Sequence, residues 1–189
     1  MAQPQLSSAR ITLLPLSDEH LPWETELDSD PEVMRYIGQG RARSAEEVAE
    51  YHRKRLAVAD RVPGLGFWVG LVDGQFVGWW ILEPPERPDQ GPVHGQAELG
   101  YRLLRRYWRQ GLASEGGRAL LGYGFDHCGL DRIFAETMAV NTGSRAVMES
   151  IGMRYVRGFQ LAEFEYSTMH GAEHGEVEYA ITREEWRSS

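Results

Sequence analysis

The sequence predicts a single mixed α/β (α+β) domain over residues 1–189, built on a mostly antiparallel sheet with flanking helices. Three observations support this class. The chain length of 189 residues is close to the roughly 150 residues of one average domain. Alternating apolar segments and capped helical segments follow one another along the chain, without an internal repeat or a low-complexity tract. A hydrophobic fraction of 42% and a charged fraction of 25% are typical of a globular protein.

The N-terminal third predicts one strand followed by helices. Apolar side chains roughly alternate over residues 10–16, which predicts a strand. Ser17 is a typical helix N-cap, and residues 30–37 predict a second short helix with a proline at its first helical position. A capping box, a serine followed three residues later by a glutamate, opens a longer helix over residues 44–59.

A β-hairpin follows. The β-rich segments 67–72 and 75–82 flank Asp73-Gly74, a strong signal for a two-residue turn. Residues 83–95 contain four prolines and predict a surface loop, and residues 96–103 alternate as the next strand. The remaining elements are a helix over 113–128 weakened by four glycines, a strand over 133–140, a helix over 144–151, strands over 155–164 and 176–181, and a polar loop over 168–175 between those strands.

Composition excludes several classes of partner. The net charge of −8 disfavours nucleic acid and anionic membranes, which require a basic surface. No segment approaches the roughly 20 apolar residues of a membrane span, and residues 1–9 lack the apolar core of a signal peptide. Cys128 is the single cysteine, so no intrachain disulfide can form. We therefore expect a cytoplasmic protein without nucleic-acid or membrane partners.

The segment from strand 98–103 into the helix near residue 112 predicts an anion site. The first N–H groups of a helix are unpaired, and its dipole is positive at that end. Gly111 lets the backbone approach a phosphate, and Arg105, Arg106 and Arg109 add positive charge in an otherwise acidic chain. A plain surface turn with solvated arginines is the alternative. The segment contains neither a P-loop nor a Rossmann glycine pattern.

Two motifs then resemble a known family. Residues 98–115 are similar to the pattern E-L-G-Y-x-[LI]…Y-W-[GR]-[KQ]-G-[YL]-A-[ST]-E, and residues 141–153 are similar to N-x-x-S-x-x-[VL]-[ML]-E-[KS]-[LI]-G-[MF]. Both patterns belong to the GCN5-related N-acetyltransferases (GNATs), and the likeness is to the RimJ/RimL-type ribosomal-protein N-terminal acetyltransferase branch. Arg109 stands where the family usually has glycine, and Trp108 also departs from the pattern.

The resemblance implies a fold, a donor and a set of contacts. It implies a GNAT-like sheet that splays between two central strands, and acetyl-CoA as the donor to an amine acceptor. Its pyrophosphate would lie on the amides at the start of the helix and its pantetheine arm along the splayed strand. The implied acetyl-CoA contacts are Leu99, Tyr101, Leu103, Arg106, Arg109, Gln110, Gly111, Leu112, Ala113, Ser114 and Asn141.

The chemistry requires a base, and the resemblance implies a proton donor in the second motif. An amine must be neutral to attack a thioester, so a carboxylate must take its proton directly or through water. Glu98 opens the splayed strand and is the candidate base; a solvent-facing residue or a structural partner of an arginine is the alternative. Ser144 is the candidate donor of a proton to the leaving thiolate. Helix capping is the alternative for both Ser144 and Asn141.

The sequence is compatible with more than one acceptor and more than one oligomeric state. The acceptor is a protein N-terminal α-amino group or a small-molecule amine, with an aminoglycoside or polyamine acetyltransferase, or a non-catalytic acyl-CoA sensor, as alternatives. The protein is expected to be a monomer or a homodimer. His170 and His174 have a spacing that metal sites use, but a polar loop is the preferred interpretation, and we expect no metal.

Overall fold

A computed structural model describes residues 3–161 and 169–188, which form one twisted sheet with helices on both faces. The strands are β1 (Leu6–Ser7), β2 (Thr12–Pro15), β3 (Gly66–Val72), β4 (Gln75–Glu83), β5 (Gln96–Leu103), β6 (Arg132–Met138), β7 (Arg154–Phe159) and β8 (Glu176–Thr182). The α-helices are α1 (Leu21–Asp28), α2 (Ala45–Arg61), α3 (Leu112–Asp126), α4 (Thr142–Ser150) and α5 (Arg183–Arg187). No helix in these described ranges is long and apolar enough to cross a membrane.

The sheet has the order β1-β2-β3-β4-β5-β6-β8-β7. Within the described residues, β5 and β6 are the one parallel pair, and every other neighbouring pair is antiparallel. The connection from β5 to β6 runs through α3, as a parallel pair requires a crossover. The expectation of one α/β domain with a mostly antiparallel sheet is confirmed.

Each face of the sheet buries its own apolar core. On the face covered by α3, the core includes Trp68, Trp80 and Leu99, all at most 1% exposed. On the opposite face, covered by α1 and α2, the core is built on Phe67 and Trp79. Because side chains alternate along a strand, neighbouring residues of β5 lie on opposite faces. This alternation places Glu98 and Tyr101 of β5 on opposite faces of the sheet.

The predicted hairpin of β3 and β4 is confirmed. Asp73 and Gly74 have φ angles of 49° and 74°, the two consecutive left-handed residues of a type I′ turn. The turn pairs Val72 with Gln75, and a register shift between Gly70 and Leu71 then places Trp68 opposite Trp80. The capping box of α2 is present too, with the Glu47 N–H donating to Ser44 Oγ at 3.2 Å.

Helix α3 contains several glycines, and one of them is needed for its packing against the sheet. A Cβ on Gly116 would lie 2.4 Å from Cε2 of Trp80, so no other residue allows the helix to approach the sheet this closely. The indole Nε1 of the same Trp80 side chain donates a hydrogen bond to the carbonyl of Ala113 at 3.2 Å. A low helix propensity is thus offset by burial of a tryptophan.

The short helix expected over residues 30–37 is absent, and that prediction is wrong. The segment is a series of turns, in which Met34 N–H bonds to Asp30 O and Ile37 N–H bonds to Met34 O. The Arg43 N–H returns to the carbonyl of Asp28, so the connection closes on the end of α1. A compact loop between fixed ends overrides the local helical signal.

The ends of the chain also differ from expectation. The strand predicted over residues 10–16 is shorter, and β1 and α5 were not predicted. The helix expected after Ser17 begins with a short 3₁₀ turn before α1. Of the strand predicted over 155–164, residues 155–159 belong to β7, which begins one residue earlier. Residues 162–164 lie outside the described residues, as does Thr168 of the predicted loop.

A buried ionic cluster ties α1 and α2 to β5. The Asp28 carboxylate is fully buried and accepts hydrogen bonds from Arg43 and Arg55, each at 2.9 Å, and from Arg102 of β5. Glu24 accepts from Arg55 and also pairs with His52. Buried charges persist only when they are paired, so this cluster fixes the helices on one face of the sheet.

Candidate active site

The sheet opens between β5 and β6. These two strands pair only over Gln96–Glu98 and Arg132–Phe134 in the described structure. Beyond this point β5 continues to pair with β4, and β6 continues to pair with β8. The inner edge of Leu99–Leu103 therefore offers alternate backbone N–H and C=O groups to a ligand, as an unpaired strand edge does. The splayed sheet expected from the sequence is present.

A cleft of about 900 Å³ continues from this opening. It runs between β5, the start of α3, the start of α4 and the turns after α1. Nine of the residues predicted from the sequence line it: Tyr101, Leu103, Arg109, Gly111, Leu112, Ala113, Ser114, Asn141 and Ser144. Four predicted residues are not among the residues that line it: Glu98, Leu99, Arg106 and Gln110.

One end of the cleft is the N-terminus of α3. Gly111 is the N-cap residue and has a φ of 77°, with no side-chain cap. The Glu115 N–H makes the first main-chain bond of the helix, to the Gly111 carbonyl at 3.0 Å, so the preceding three amides have no partner within the helix. These amides and the helix dipole fit a phosphate group.

The loop that leads into α3 is held by the N-terminal segment. The Glu115 carboxylate accepts from Ser8 Oγ and from both the amide and the side chain of Arg10, each at 2.7 Å. A second nitrogen of Arg10 donates to the Gln110 carbonyl at 3.0 Å. Arg109 has a φ of 60°, which is uncommon for a residue with a Cβ. These contacts fix the position of the loop against the N-terminal segment.

The three arginines of this loop have different partners. Arg106 pairs with Glu26 of α1 at 2.7 Å, and Arg105 lies 3.4 Å from Asp30. Arg109 lines the cleft. Two of the three positive charges thus connect the loop to the end of α1 and the turn that follows it, and one faces the cleft.

The opposite wall of the cleft joins β5 to α4. The Tyr101 hydroxyl donates to the Ser144 carbonyl at 2.9 Å and lies 3.0 Å from Ser144 Oγ. Burial raises the pKa of Tyr101, so its phenol stays protonated. Asn141 caps α4, because its Oδ1 accepts from the Ser144 N–H at 3.2 Å. Capping is thus observed for Asn141, whereas the Ser144 side chain contacts a phenol.

Glu98 lies on the other face of the sheet, among carboxylates. It is directly opposite Glu83 of β4, and Glu136 of β6 is near it. Burial raises the pKa of Glu98 well above its usual value, and the charges of Glu136 and Glu83 add to the effect. Burial likewise raises the pKa of Glu83 to about 7. A carboxylate in this environment can take up a proton near neutral pH.

The sequence did not indicate the neighbours of Glu98. Gln90 is 4% exposed, and its Nε2 donates to Glu98 at 3.0 Å and to Glu136 at 3.2 Å. Pairing of β4 with β5 brings Glu83 opposite Glu98, but the register between these strands is a long-range property. The proline-rich loop gave no local signal for a buried glutamine. No cluster of His, Cys, Asp or Glu side chains in the described ranges is arranged to hold a metal.

The chain is similar to several known proteins. Residues 10–154 match the family model described as an acetyltransferase (GNAT) domain. A protein of Aspergillus fumigatus named FsC-acetyl coenzyme A-N(2)-transacetylase is 42% identical, and the match covers 98% of this chain and 79% of that protein. An uncharacterised protein of Bacillus subtilis, YkkB, is 30% identical over 68% of this chain and 72% of its own length.

Solved structures share the fold. Mycobacterium smegmatis RimJ in complex with CoA-disulfide has a TM-score of 0.78 at 20% identity, covering 98% of this chain and 91% of that one. Spermidine N-acetyltransferase from Vibrio cholerae, in complex with CoA and spermine, has a TM-score of 0.75 at 17% identity, covering 95% and 99%. At these identities the likeness establishes the fold alone.

Proposed function

The chain belongs to the GNAT family and is an acetyl-CoA-dependent N-acetyltransferase, and on this premise we propose that it acetylates the α-amino group of a small molecule. The transfer is direct, in a ternary complex of protein, acetyl-CoA and amine. The observation that carries the proposal is the 42% identity, along 98% of the chain, to a transacetylase whose name specifies N(2) of its substrate. On an amino-acid skeleton, N(2) is the α-amino nitrogen.

The cleft fits CoA in its shape and charge. The free amides at the start of α3, with Gly111 and Arg109 beside them, fit the pyrophosphate. The unpaired edge of Leu99–Leu103 fits the pantetheine arm, which bonds to it as an added strand. Bound there, acetyl-CoA supplies the thioester carbon that the amine attacks.

Glu98 takes the proton of the amine, directly or through water. An α-amino group has a pKa of about 7.7–8.0, so a base that works near neutral pH suits it better than it suits a lysine amine near 10.4. The raised pKa of Glu98 matches this task.

Tyr101 and Ser144 act on the other face of the sheet. Their hydroxyls lie 3.0 Å apart at the wall of the cleft, so the pair supplies a proton to the departing thiolate. A free backbone N–H on the Leu99–Leu103 edge stabilises the charge that develops on the thioester oxygen. Base and acid thus approach the thioester from the two faces of the open sheet.

A panel of amines tests the acceptor. Release of CoA thiol would be followed with acetyl-CoA and four probes: an amino-acid amide such as ornithinamide, spermidine, kanamycin, and a peptide with a free N-terminus. Mass spectrometry of the product locates the acetyl group. We expect the highest kcat/KM for the amino-acid amide, with acetyl on its α-nitrogen. A preference for spermidine, kanamycin or the peptide, or thiol release with no amine, contradicts the proposal.

A further inference from the structure

Gln90 connects the loop between β4 and β5 to two carboxylates. Its Nε2 donates to Oε2 of Glu98 at 3.0 Å and to Oε2 of Glu136 at 3.2 Å. Its Oε1 accepts from the amides of Glu86 and Arg87 at 2.8 and 2.9 Å. The side chain therefore cannot rotate without breaking contacts at both ends, and the amide orientation that offers Nε2 to the carboxylates is determined.

The two carboxylates are close enough to share this one amide donor. Glu136 is 7% exposed in its side chain, and Arg87 donates to the same Oε2 at 2.7 Å. The other oxygen of Glu136, Oε1, is buried and has no hydrogen-bond partner among the described residues. One amide therefore holds the carboxylates of Glu98 and Glu136 side by side.

From this geometry we propose that Gln90 is a positioning residue for the reaction, which holds Glu98 beside Glu136 and sets the pH at which Glu98 accepts the proton of the amine. The inference rests on the proposed role of Glu98 as base. Gln90 itself touches neither substrate nor the reacting atoms. It acts through the carboxylate to which it donates.

The direction of the effect follows from the hydrogen bond. An N–H donated to a carboxylate favours the charged form, so the Gln90 contact holds the pKa of Glu98 below the value that burial, Glu136 and Glu83 alone would give. Removal of the donor therefore raises the pKa of Glu98. Less of the base is then ionised at pH 7, and the loss is recovered at higher pH.

Replacing Gln90 by an apolar residue leaves the charged residues around Glu98 in the sequence. Glu83 faces it from β4, Glu136 from β6, and Arg87 from the loop. Beyond Glu136, Glu178 of β8 is paired with Arg132 and Arg157. From α2, Arg55 and Arg61 act on Glu83, and their charges lower its pKa. All of these charges remain when Gln90 becomes apolar, while Glu136 loses the same amide donor and the amides of Glu86 and Arg87 lose their acceptor.

Gln96 offers a matched control. It is also 4% exposed, and its Nε2 donates to the carbonyls of Gln90 and Pro92, at 3.0 and 2.7 Å. It therefore holds the same loop without touching Glu98 or Glu136. Gln90→Met and Gln96→Met both loosen the loop, and only the first removes the donor from the carboxylates.

The experiment is the pH profile of kcat/KM for the wild type and both variants, from pH 6 to 9.5, with the best amine of the panel. For Gln90→Met we expect the acidic limb to move up by about one unit, with about a tenfold loss at pH 7 that largely disappears at pH 9. For Gln96→Met we expect a ratio to wild type that does not vary with pH.

The outcomes separate the two claims. A Gln90→Met loss that is the same at every pH, or no loss, overturns the positioning role. If Gln90→Met does not fold, Gln90→Asn shortens the side chain while keeping an amide, and the same upward shift is expected of it. Glu98→Gln tests the base independently: a wild-type rate and acidic limb in that variant overturn the base assignment itself.

Discussion

Tyr101 of β5 and Ser144 of α4 contact each other across the cleft, with their hydroxyl oxygens 3.0 Å apart. The Tyr101 hydroxyl also donates to the Ser144 carbonyl at 2.9 Å. This contact joins the strand that carries the open edge to the first turn of α4. It places two protonated hydroxyls at one point of the wall, where the sequence had indicated one.

Tyr101→Phe and Ser144→Ala test this pair. Each variant removes one hydroxyl, and we expect kcat to fall about 10²-fold in either, as for loss of a general acid. The double variant should lose little more, because both hydroxyls serve one proton transfer. The measurement is kcat with saturating acetyl-CoA. Wild-type rates in both single variants would show that the pair is structural.

Gly111→Val tests the phosphate cradle. A β-branched residue at a φ of 77° is strained and adds bulk beside the free amides, so we expect CoA affinity to fall at least tenfold by calorimetric titration. Gly74→Val is the matched control, since Gly74 has a φ of 74° in the hairpin turn with open space around it. That variant should lose stability while keeping CoA affinity. Equal affinities in both would contradict the cradle.

Glu83→Gln tests the buried carboxylates through stability. Burial raises the pKa of Glu83 from 4.5 to about 7, and the charge of Glu86 contributes. The folded state thus binds more protons than the unfolded state between these values, and the contribution of Glu83 to stability falls as pH rises through this window. Relative to wild type, the variant should gain on the order of 2 kcal/mol between pH 4.5 and 8. Urea unfolding at both pH values measures it, and a constant difference would contradict the burial of Glu83.

Asp28→Asn tests the ionic cluster under β5. Burial disfavours the charged carboxylate, but the charges of Arg102 and Arg55 outweigh it and hold the pKa of Asp28 below its usual value. Removing this charge leaves the buried Arg102 without a carboxylate partner and leaves Arg55 paired with Glu24 alone, so we expect a loss of about 3–5 kcal/mol near pH 7. The loss should shrink as pH falls through the pKa of folded Asp28, where the wild type also protonates.

Glu50→Gln is the control for that variant. Glu50 pairs with Lys54 on the exposed face of α2 at 2.6 Å, and exposed pairs contribute little. Urea unfolding should leave this variant close to wild type. If Asp28→Asn were equally mild, the cluster would not be what holds α1 and α2 to the sheet.

Local signals predicted much of the fold. Asp73-Gly74 and the Ser44 capping box each depend on residues close in sequence, and both occur as expected. The same signal was present for α5, where Thr182 and Glu185 form a capping box. The turns over residues 30–37 were missed because the return of Arg43 to Asp28, a contact between distant residues, determines that segment.

In the candidate site, too, local features were predicted and long-range contacts were not. The two motifs predicted nine of the residues that line the cleft, because helix starts and glycine-containing turns are local features. The turns over residues 32–37, which also line it, lie outside both motifs. The neighbours of Glu98 depend instead on strand register and on how a long loop folds back, so Glu83, Glu136 and Gln90 were not found. The departure at Arg109, where the family has glycine, is a left-handed residue that lines the cleft.

Two-substrate kinetics distinguish direct transfer of the acetyl group from a covalent acetyl-protein intermediate. Initial rates of thiol release would be measured while acetyl-CoA and the best amino-acid amide are varied together. Direct transfer in a ternary complex predicts intersecting lines in double-reciprocal plots, and acetyl on the α-nitrogen of the product. Parallel lines, with an acetylated protein trapped in the absence of amine, would show a covalent intermediate and contradict the account.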